Sequence, residues 1–275
     1  MEGSMLEEST AKKLKLSNEE AEESDDDLEK HSLGTSSKEN IEQTDKQYSE
    51  LTLEEKLKDP NSYNLFHNKI NYKKEDSEVK ADDAYSITFK DLLSLGNESL
   101  HITYNFTENW FKSQFSESKN SQADVWYEKT WTDYGLGETE ANFGKTITLK
   151  PFQLKTDSQT DRYHSKISLF YYKDDKDELN DYLRVVVMTA NLTPNDWDTH
   201  SQGIWISPKC YTTSSVGNGD NKKTKFKVTL LAYLRHYRNE DRNPEINESF
   251  ETWVSRVENA NFEERSPDCF CAGEV

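Results

Sequence analysis

An eight-residue run, LRVVVMTA (183–190), contains three consecutive valines and limits the folds that are open to the chain. β-Branched residues favour strands, and a strand whose apolar side chains point both ways is expected to be buried on both faces. Such a strand lies inside a sheet that is covered on both sides. The run therefore predicts the central strand of a layered domain.

Apolar residues elsewhere in the chain switch between strand and helix periodicity. Strands are predicted where apolar residues alternate or form short runs, at 99–106, 123–128, 146–152, 164–172, 203–206 and 269–273. Helical spacing predicts helices at 86–95, 108–115, 225–237 and 247–258. Ser86 and Thr88 are both N-cap candidates for the first helix. Strands interleaved with helices indicate an α/β domain.

The N-terminal segment differs sharply in composition from the rest of the chain. Residues 1–60 hold eighteen Asp and Glu against eight Lys, which is −10 of the total charge of −18, and they contain no Trp or Phe. So few apolar groups cannot offset the entropy lost on ordering. Residues 1–58 are therefore predicted to be a disordered acidic tail, and 59–275 to be one globular domain. The acidic balance argues against non-specific attraction to nucleic acid but allows a local basic groove.

Cysteine usage and the N-terminus bear on the compartment. Cys210, Cys269 and Cys271 form neither a disulfide framework nor a zinc spacing. The N-terminus has no apolar signal core, and no run has the length of a membrane span, so we expect no membrane partner and a reducing compartment. A basic run at 12–15 matches a nuclear import signal weakly, and an ordinary charge run explains it equally well.

Three polar residues carry the chemistry that the sequence suggests. His164 and Lys166 alternate in a predicted strand, which puts them on one face, and Asn191 closes the next predicted strand. A neutral imidazole can attack phosphorus and form a covalent intermediate. A lysine ammonium beside it would stabilise the developing negative charge, and an amide would hold another oxygen. The trio needs no metal or cofactor.

The surrounding motifs resemble the first half-site of the tyrosyl-DNA phosphodiesterases, which belong to the phospholipase D superfamily. The resemblance rests on the order and spacing of HSK (164–166), the Val-rich strand, TANL (189–192), DW (196–197), QGIW (202–205) and SP (207–208). A looser, collinear resemblance covers residues 62–275. It implies a phospholipase D-like α/β/α sandwich with a mixed sheet, present as a single half-domain.

The resemblance also implies a function. The family hydrolyses the phosphodiester between a topoisomerase tyrosine and a DNA 3′ end, and trims other 3′ adducts, in nuclear DNA repair. By this resemblance His164 would be the nucleophile, Lys166 would stabilise the phosphate and Asn191 would position it. Gln202 is a weaker substrate-binding candidate, for which packing beneath the site is the favoured interpretation. The implied partners are DNA 3′ ends that carry tyrosyl or other adducts.

Two departures from the family pattern limit this interpretation. Asp161-Arg162-Tyr163 stands where the family has Gly-x-His, and no histidine C-terminal to Lys166 is followed by lysine two positions later. The second half-site, whose histidine protonates the leaving oxygen, is therefore expected to be missing. Three hypotheses remain: an enzyme that lacks its C-terminal half, a homodimer that shares one active site, and a non-catalytic module that binds DNA ends or proteins.

A basic run near the predicted helix at 225–237 is a further DNA-binding candidate. Lys222, Lys223, Lys225 and Lys227 could contact phosphates. The favoured alternative is that they are solvated residues at the start of a helix.

Overall fold

The computed structural model of the chain describes residues 51–70, 85–128, 139–142, 145–152, 164–212, 224–237 and 244–262. Within these ranges one sheet contains ten strands: β1 (Leu65–Asn68), β2 (Ser86–Ile87), β3 (Glu98–Thr103), β4 (Gln122–Glu128), β5 (Thr139–Asn142), β6 (Lys145–Phe152), β7 (Ile167–Tyr172), β8 (Tyr182–Met188), β9 (Gly203–Ile206) and β10 (Cys210–Tyr211). The helices of the same ranges are α1 (Leu53–Lys56), α2 (Phe89–Leu93), α3 (Glu108–Ser116), α4 (Pro194–Asp198), α5 (Lys225–His236) and α6 (Pro244–Asn259). The strand predicted at 269–273 lies outside the described residues.

The sheet is mixed, and its strand order is β2-β1-β9-β8-β7-β3-β4-β6-β5, with β10 paired to β8. β3, β4 and β6 are parallel to one another, whereas β7, β8 and β9 are each antiparallel to their neighbours. This arrangement confirms the predicted mixed sheet, with β8 inside it. None of the helices that the structure describes is long and apolar enough to cross a bilayer.

The predicted helix at 86–95 is shorter than expected because its first residues pair in the sheet. Ser86 and Ile87 form β2, and Thr88 is the N-cap of α2. The Thr88 hydroxyl accepts from the Asp91 backbone N–H, and the Asp91 carboxylate accepts from the Thr88 N–H. This reciprocal capping box fixes the start of the helix one turn later than the apolar spacing indicated.

Helices α1, α2 and α3 cover the first face of the sheet. Their apolar side chains and those of the strands form one buried cluster, which includes Phe89, Phe111, Val125, Phe170 and Val186. Each side chain of this size contributes about 1.5–3 kcal/mol when it leaves water. Alternate residues of each strand point to the same face of the sheet, so the apolar residues of this cluster turn that face towards these helices.

Helices α5 and α6 cover the second face. Their buried residues, among them Leu234 and Trp253, pack on Ile102, Leu169 and Val185. Layers on both faces confirm the α/β/α sandwich that the resemblance implied.

The N-terminal boundary of the folded part differs from the prediction. Helix α1 lies within the predicted tail of 1–58, yet Leu53 is buried in the first cluster. Thr52 caps the helix, and the Lys56 ammonium donates to the Ser86 carbonyl at 2.9 Å. The folded part therefore begins before residue 53, because one apolar anchor and two specific hydrogen-bonding groups suffice to hold a single turn.

The central strand is not buried along its whole length. Val185 and Val186 are fully buried, but Val187 is 39% exposed, so the expectation of burial on both faces is wrong at this position. Val187 pairs with Trp205, which pairs with Leu65, and paired residues share a face. Leu65 is 57% exposed. We call Val187, Trp205 and Leu65 the exposed apolar row. Its two outer members are exposed, whereas Trp205 is half-buried and its ring lies 6.1 Å from that of Phe226 on α5.

Candidate active site

Strands β3 and β8 end, and strands β7 and β9 begin, along one edge of the sheet. The register pairs Ile102 near the end of β3 with Ile167 at the start of β7, and Ile167 with Val187 near the end of β8. Met188 at the end of β8 pairs with Ile204 near the start of β9. We call this the His164 edge, because His164, Tyr104, Asn191 and Gln202 lie just beyond these strand ends.

His164 and Lys166 are brought into direct contact at this edge. The Lys166 Nζ lies 3.0 Å from His164 Nδ1 and 3.1 Å from Nε2, and it donates to the His164 carbonyl at 2.7 Å. An ammonium can only donate, so a hydrogen bond to the ring needs an imidazole nitrogen without a proton. The imidazole is exposed, whereas Lys166 is buried. The pair therefore presents an exposed imidazole backed by a buried cation.

The structure changes one detail of the prediction for this pair. His164 and Lys166 precede β7, which begins at Ile167, and do not lie within it. The Met188 N–H still donates to the Lys166 carbonyl at 3.1 Å, which keeps the segment aligned with β8. The side chains meet through this short extended lead-in to the strand.

Tyr104 and Asp196 complete the surroundings of the lysine. The Tyr104 ring centroid lies 5.1 Å from that of His164 and 6.0 Å from the Lys166 Nζ. Burial lowers the pKa of Lys166, and the negative charge of Asp196 opposes that change. An aromatic face and a carboxylate therefore favour the ammonium form that a phosphate would need.

Asn191 is held by hydrogen bonds on both ends of its amide. Its Oδ1 accepts from the Asn105 backbone N–H at 3.1 Å, and its Nδ2 donates to Asp196 Oδ2 at 2.8 Å. The Asn191 backbone N–H donates to the same Asp196 oxygen at 2.7 Å. The Trp197 indole N–H donates to the Asn191 carbonyl at 3.0 Å. Local bonds thus fix the position of this side chain.

Helix α4 carries the residues that hold Asn191. Thr193 caps it, Pro194 occupies its first position, and the Asp196 N–H donates to the Thr193 hydroxyl. Asn68 closes its other end, because the Asn68 Nδ2 lies 2.8–3.1 Å from the carbonyls of Asp196, Trp197 and His200. Asn68 is fully buried at the end of β1, so a distant strand anchors the loop.

Gln202 lies at the His164 edge and links two strands. The Thr189 hydroxyl donates to the Gln202 Oε1, and the Gly203 N–H donates to the Thr189 hydroxyl at 3.0 Å. The Gln202 backbone N–H donates to Asn68 Oδ1 at 2.7 Å. The Gln202 side chain is half-buried between the ends of β8 and β9, and the interpretation that it packs beneath the site stays a prediction.

The basic run divides into residues with different surroundings. Lys225 is exposed in the first turn of α5, and Lys222 and Lys223 lie outside the described residues. Lys227 is buried, and its Nζ donates to the carbonyls of Glu258 and Ala260 at 2.6 and 2.9 Å. The interpretation of Lys227 as a solvated lysine is therefore wrong, because it caps the C-terminus of α6.

The buried histidine His101 is structural. His101 lies 2.8 Å from the Ser168 hydroxyl and 3.0 Å from the Ser99 hydroxyl, with the rings of Phe111 and Phe170 around it. Burial lowers the pKa of His101 to about 3, so the ring is neutral. Within the described ranges, no cluster of three or more His, Cys, Asp or Glu side chains is placed to bind a metal.

Three residues of the site escaped the sequence analysis. Tyr104 and Asn105 reach the His164 edge through the pairing of β3 with β7, which the sequence does not reveal. Asp196 was noted only as part of a motif. Its position three residues after the cap Thr193, where a carboxylate is common, was the one signal available.

The chain is similar to proteins of a known family. The family model described as tyrosyl-DNA phosphodiesterase matches residues 36–270. Tyrosyl-DNA phosphodiesterase 1 of Drosophila melanogaster is 28% identical over 218 residues, which are 75% of this chain and 33% of the fly protein. The chain therefore spans about a third of the length of this curated relative.

Solved structures show the same fold. A histidine-to-asparagine mutant of yeast tyrosyl-DNA phosphodiesterase is similar with a TM-score of 0.51 and 17% identity, over 72% of this chain and 41% of the yeast chain. The yeast SCAN1 mutant is similar with a TM-score of 0.50 and 20% identity, over 72% and 41%. These likenesses confirm a phospholipase D-like half-domain. Because the family model matches most of the length of this chain, the chain belongs to the tyrosyl-DNA phosphodiesterase family.

Proposed function

We propose that this chain acts on phosphodiesters at DNA 3′ ends, including tyrosyl adducts, with His164 as the nucleophile. The observation that carries the proposal is the contact between an exposed imidazole and a buried ammonium at 3.0 Å. The substrate class comes from the family to which the chain belongs. DNA repair in the nucleus is the corresponding biological setting.

The proposed chemistry has two steps. A lone pair of the His164 ring forms a bond to phosphorus, and the bond between phosphorus and the leaving oxygen breaks with its electrons on that oxygen. Water then attacks the phosphohistidine, the phosphorus–nitrogen bond breaks, and a DNA 3′-phosphate is released. The covalent intermediate replaces one difficult displacement by two easier ones.

Lys166 and Asn191 have separate parts in this proposal. Lys166 would move from the ring to a phosphoryl oxygen as the substrate enters, and its burial strengthens that attraction. Asn191 has a second Nδ2 hydrogen, for which the described residues provide no acceptor, and it would donate this hydrogen to another oxygen. Gln202 and Lys225 are weaker substrate contacts in the same proposal, and so are Lys222 and Lys223.

The leaving group decides what a lone half-site can do. Tyrosine has a pKa of about 10, so its departure needs a proton from a general acid. Two of the described histidines are otherwise engaged: His101 is buried and neutral, and the His200 ring contacts the Asn195 carbonyl at 3.0 Å, at the end of α4. The proposal assigns the acid to a second half-site, in a C-terminal half or in another copy.

The proposal is tested with two DNA substrates that differ only in their 3′ leaving group. 4-Nitrophenolate leaves its phosphodiester without help from an acid, so the full chain should form the covalent intermediate. It should release at most one equivalent of nitrophenolate. The 3′-tyrosyl substrate should react very slowly. His164→Ala should release none, with His236→Ala as the matched control. Release by His164→Ala equal to that of the wild type would overturn the proposal. DNA binding without release from either substrate would favour the non-catalytic module.

A homodimer that shares one active site is the second candidate, and the exposed apolar row favours it. Val187 and Leu65 expose apolar surface close to the His164 edge. Val187 is the last residue but one of β8, and Thr189 lies at that edge. Exposed apolar patches mark interaction sites. A second copy on this face would bring a second His164 towards the first. Turnover of the tyrosyl substrate that appears only at concentrations favouring dimers would support this arrangement.

A further inference from the structure

One carboxylate connects the two phosphate-binding candidates of the site. Asp196 Oδ2 accepts from both the backbone N–H and the Nδ2 of Asn191, at 2.7 and 2.8 Å. The charge of the same carboxylate acts on Lys166. Asp196 is partly buried on α4 and was assigned no role by the sequence analysis. Asp196 is therefore hydrogen-bonded to Asn191 and acts on Lys166 through its charge.

The bonds around Asn191 determine which end of its amide is available. A carboxylate can only accept and a backbone N–H can only donate, so Asp196 binds the amide nitrogen and Asn105 binds the amide oxygen. A flipped amide would place its oxygen against the carboxylate and lose both bonds. The remaining hydrogen of Nδ2 is thus kept as a donor, which is the polarity that a phosphate oxygen needs.

The same carboxylate is the negative group that faces the lysine. Within the described residues, the titratable groups facing Lys166 are His164, Tyr104 and Asp196. Only Asp196 is an anion at neutral pH. It therefore compensates the buried ammonium while the site is empty, when no phosphate is present to do so.

We propose that Asp196 is the positioning residue of this site, which orients the Asn191 amide as a donor and keeps Lys166 in its charged form. This inference rests on the proposed function, because the phosphate concerned is the one that His164 attacks. Asp196 makes no bond to the substrate and takes no proton in either step.

Two substitutions separate its two effects. Asp196→Asn keeps the shape and an oxygen that can accept both hydrogen bonds from Asn191, but it removes the charge. Asp196→Ala removes the hydrogen bonds and the charge. We therefore expect adduct formation on the nitrophenyl substrate to slow by about tenfold to a hundredfold. Asp198→Asn, on the same helix, carries the same change of charge and should leave the rate within about twofold. Circular dichroism and thermal unfolding identify any variant that fails to fold.

The pH profile distinguishes positioning from a general structural role. Adduct formation should fall as the pH rises through the pKa of Lys166. Asp196 raises that pKa, so Asp196→Asn should move the alkaline fall to lower pH, whereas Asp198→Asn should not. A folded Asp196→Asn variant with the rate and alkaline limb of the wild type would overturn the charge effect. A folded Asp196→Ala variant with wild-type rate would overturn the inference as a whole.

A spectroscopic readout separates this inference from the proposed function. The two Nδ2 protons of Asn191 can be identified by NMR through their loss in Asn191→Ala. Asp196→Ala should shift both signals and speed their exchange with water, with no substrate present. If the wild type forms no adduct at all, the proposed function fails. Shifted signals would then still support the amide contact, and unshifted signals would overturn it.

Discussion

The Lys166 ammonium lies 3.0 Å from the His164 ring and 2.7 Å from the carbonyl of the same residue. His164 and Lys166 thus form a closed unit, in which the backbone carbonyl of His164 holds the buried ammonium that assists its ring. The unit is complete before substrate arrives. A phosphate that displaces the ring from the ammonium would leave the imidazole lone pair free at the phosphorus.

This relationship predicts the effect of removing the cation. Lys166→Met keeps most of the buried stem and removes the charge, so adduct formation on the nitrophenyl substrate should fall by about a hundredfold to a thousandfold. Single-turnover kinetics measures this directly. Lys176→Met is the control with an exposed lysine that the proposal does not place in the site. A Lys166→Met variant that reacts at the wild-type rate would remove the lysine from the mechanism.

Asn68 should support the site from a distance. Its Nδ2 holds carbonyls at the end of α4, so Asn68→Ala leaves these buried acceptors unpaired and should lower the free energy of unfolding by about 1–3 kcal/mol. Urea unfolding checks this, with exposed Asn109→Ala on α3 as control. The variant should also form adduct more slowly, because Asp196 lies on the loosened helix. Unchanged stability would mean that the loop does not depend on β1.

Buried His101 predicts a loss of stability in mild acid. The folded pKa is about 3, against 6.5 in the unfolded chain, so below pH 6.5 protons bind to the unfolded state first. The stability contributed by neutral His101 is full above pH 6.5 and falls by about 1.4 kcal/mol per pH unit between 6.5 and 3. Urea unfolding at pH 7 and 5 should therefore differ by about 2 kcal/mol more in the wild type than in His101→Gln. An equal difference in both proteins would contradict this assignment, and His236→Gln is the exposed control.

The exposed apolar row predicts self-association. Val187→Lys combined with Leu65→Lys should shift the full chain towards a monomer in light scattering, because burying an unpaired ammonium at an interface is costly. Val228→Lys, which changes an exposed valine on α5, is the control and should leave the mass unchanged. A wild type that stays monomeric at high concentration would count against the homodimer.

Lys227 should contribute to the stability of the fold and not to DNA binding. Its ammonium caps α6, so Lys227→Met should lower the free energy of unfolding by about 2–3 kcal/mol, whereas exposed Lys225→Met should change it by less than about 0.5 kcal/mol. Thermal unfolding provides the comparison. Equal stability of the two variants would restore the solvated interpretation of Lys227.

The sequence predicts local features well where the cause is local. The strand at 203–206 and the helix beginning at Glu108 follow from apolar spacing alone. The contact between His164 and Lys166 was predictable because the two residues are two positions apart in an extended segment.

Features that depend on distant partners were not predictable. Lys227 is buried because the end of α6 lies above it, 31 residues later in the chain. Tyr104 joins the site through β3 pairing with β7, and Val187 is exposed because helices cover only part of the second face. Each depends on tertiary packing, which no spacing in one segment encodes.

The most direct test of the central claim is to map the covalent adduct. The full chain is incubated with the 3′-nitrophenyl DNA substrate, digested under mildly alkaline conditions that preserve a phosphorus–nitrogen bond, and analysed by tandem mass spectrometry. We predict one modified peptide, with the added mass on His164, which is lost in acid and absent from His164→Ala. An adduct on another residue, or multiple turnover by a proven monomer with no adduct on His164, would contradict the account.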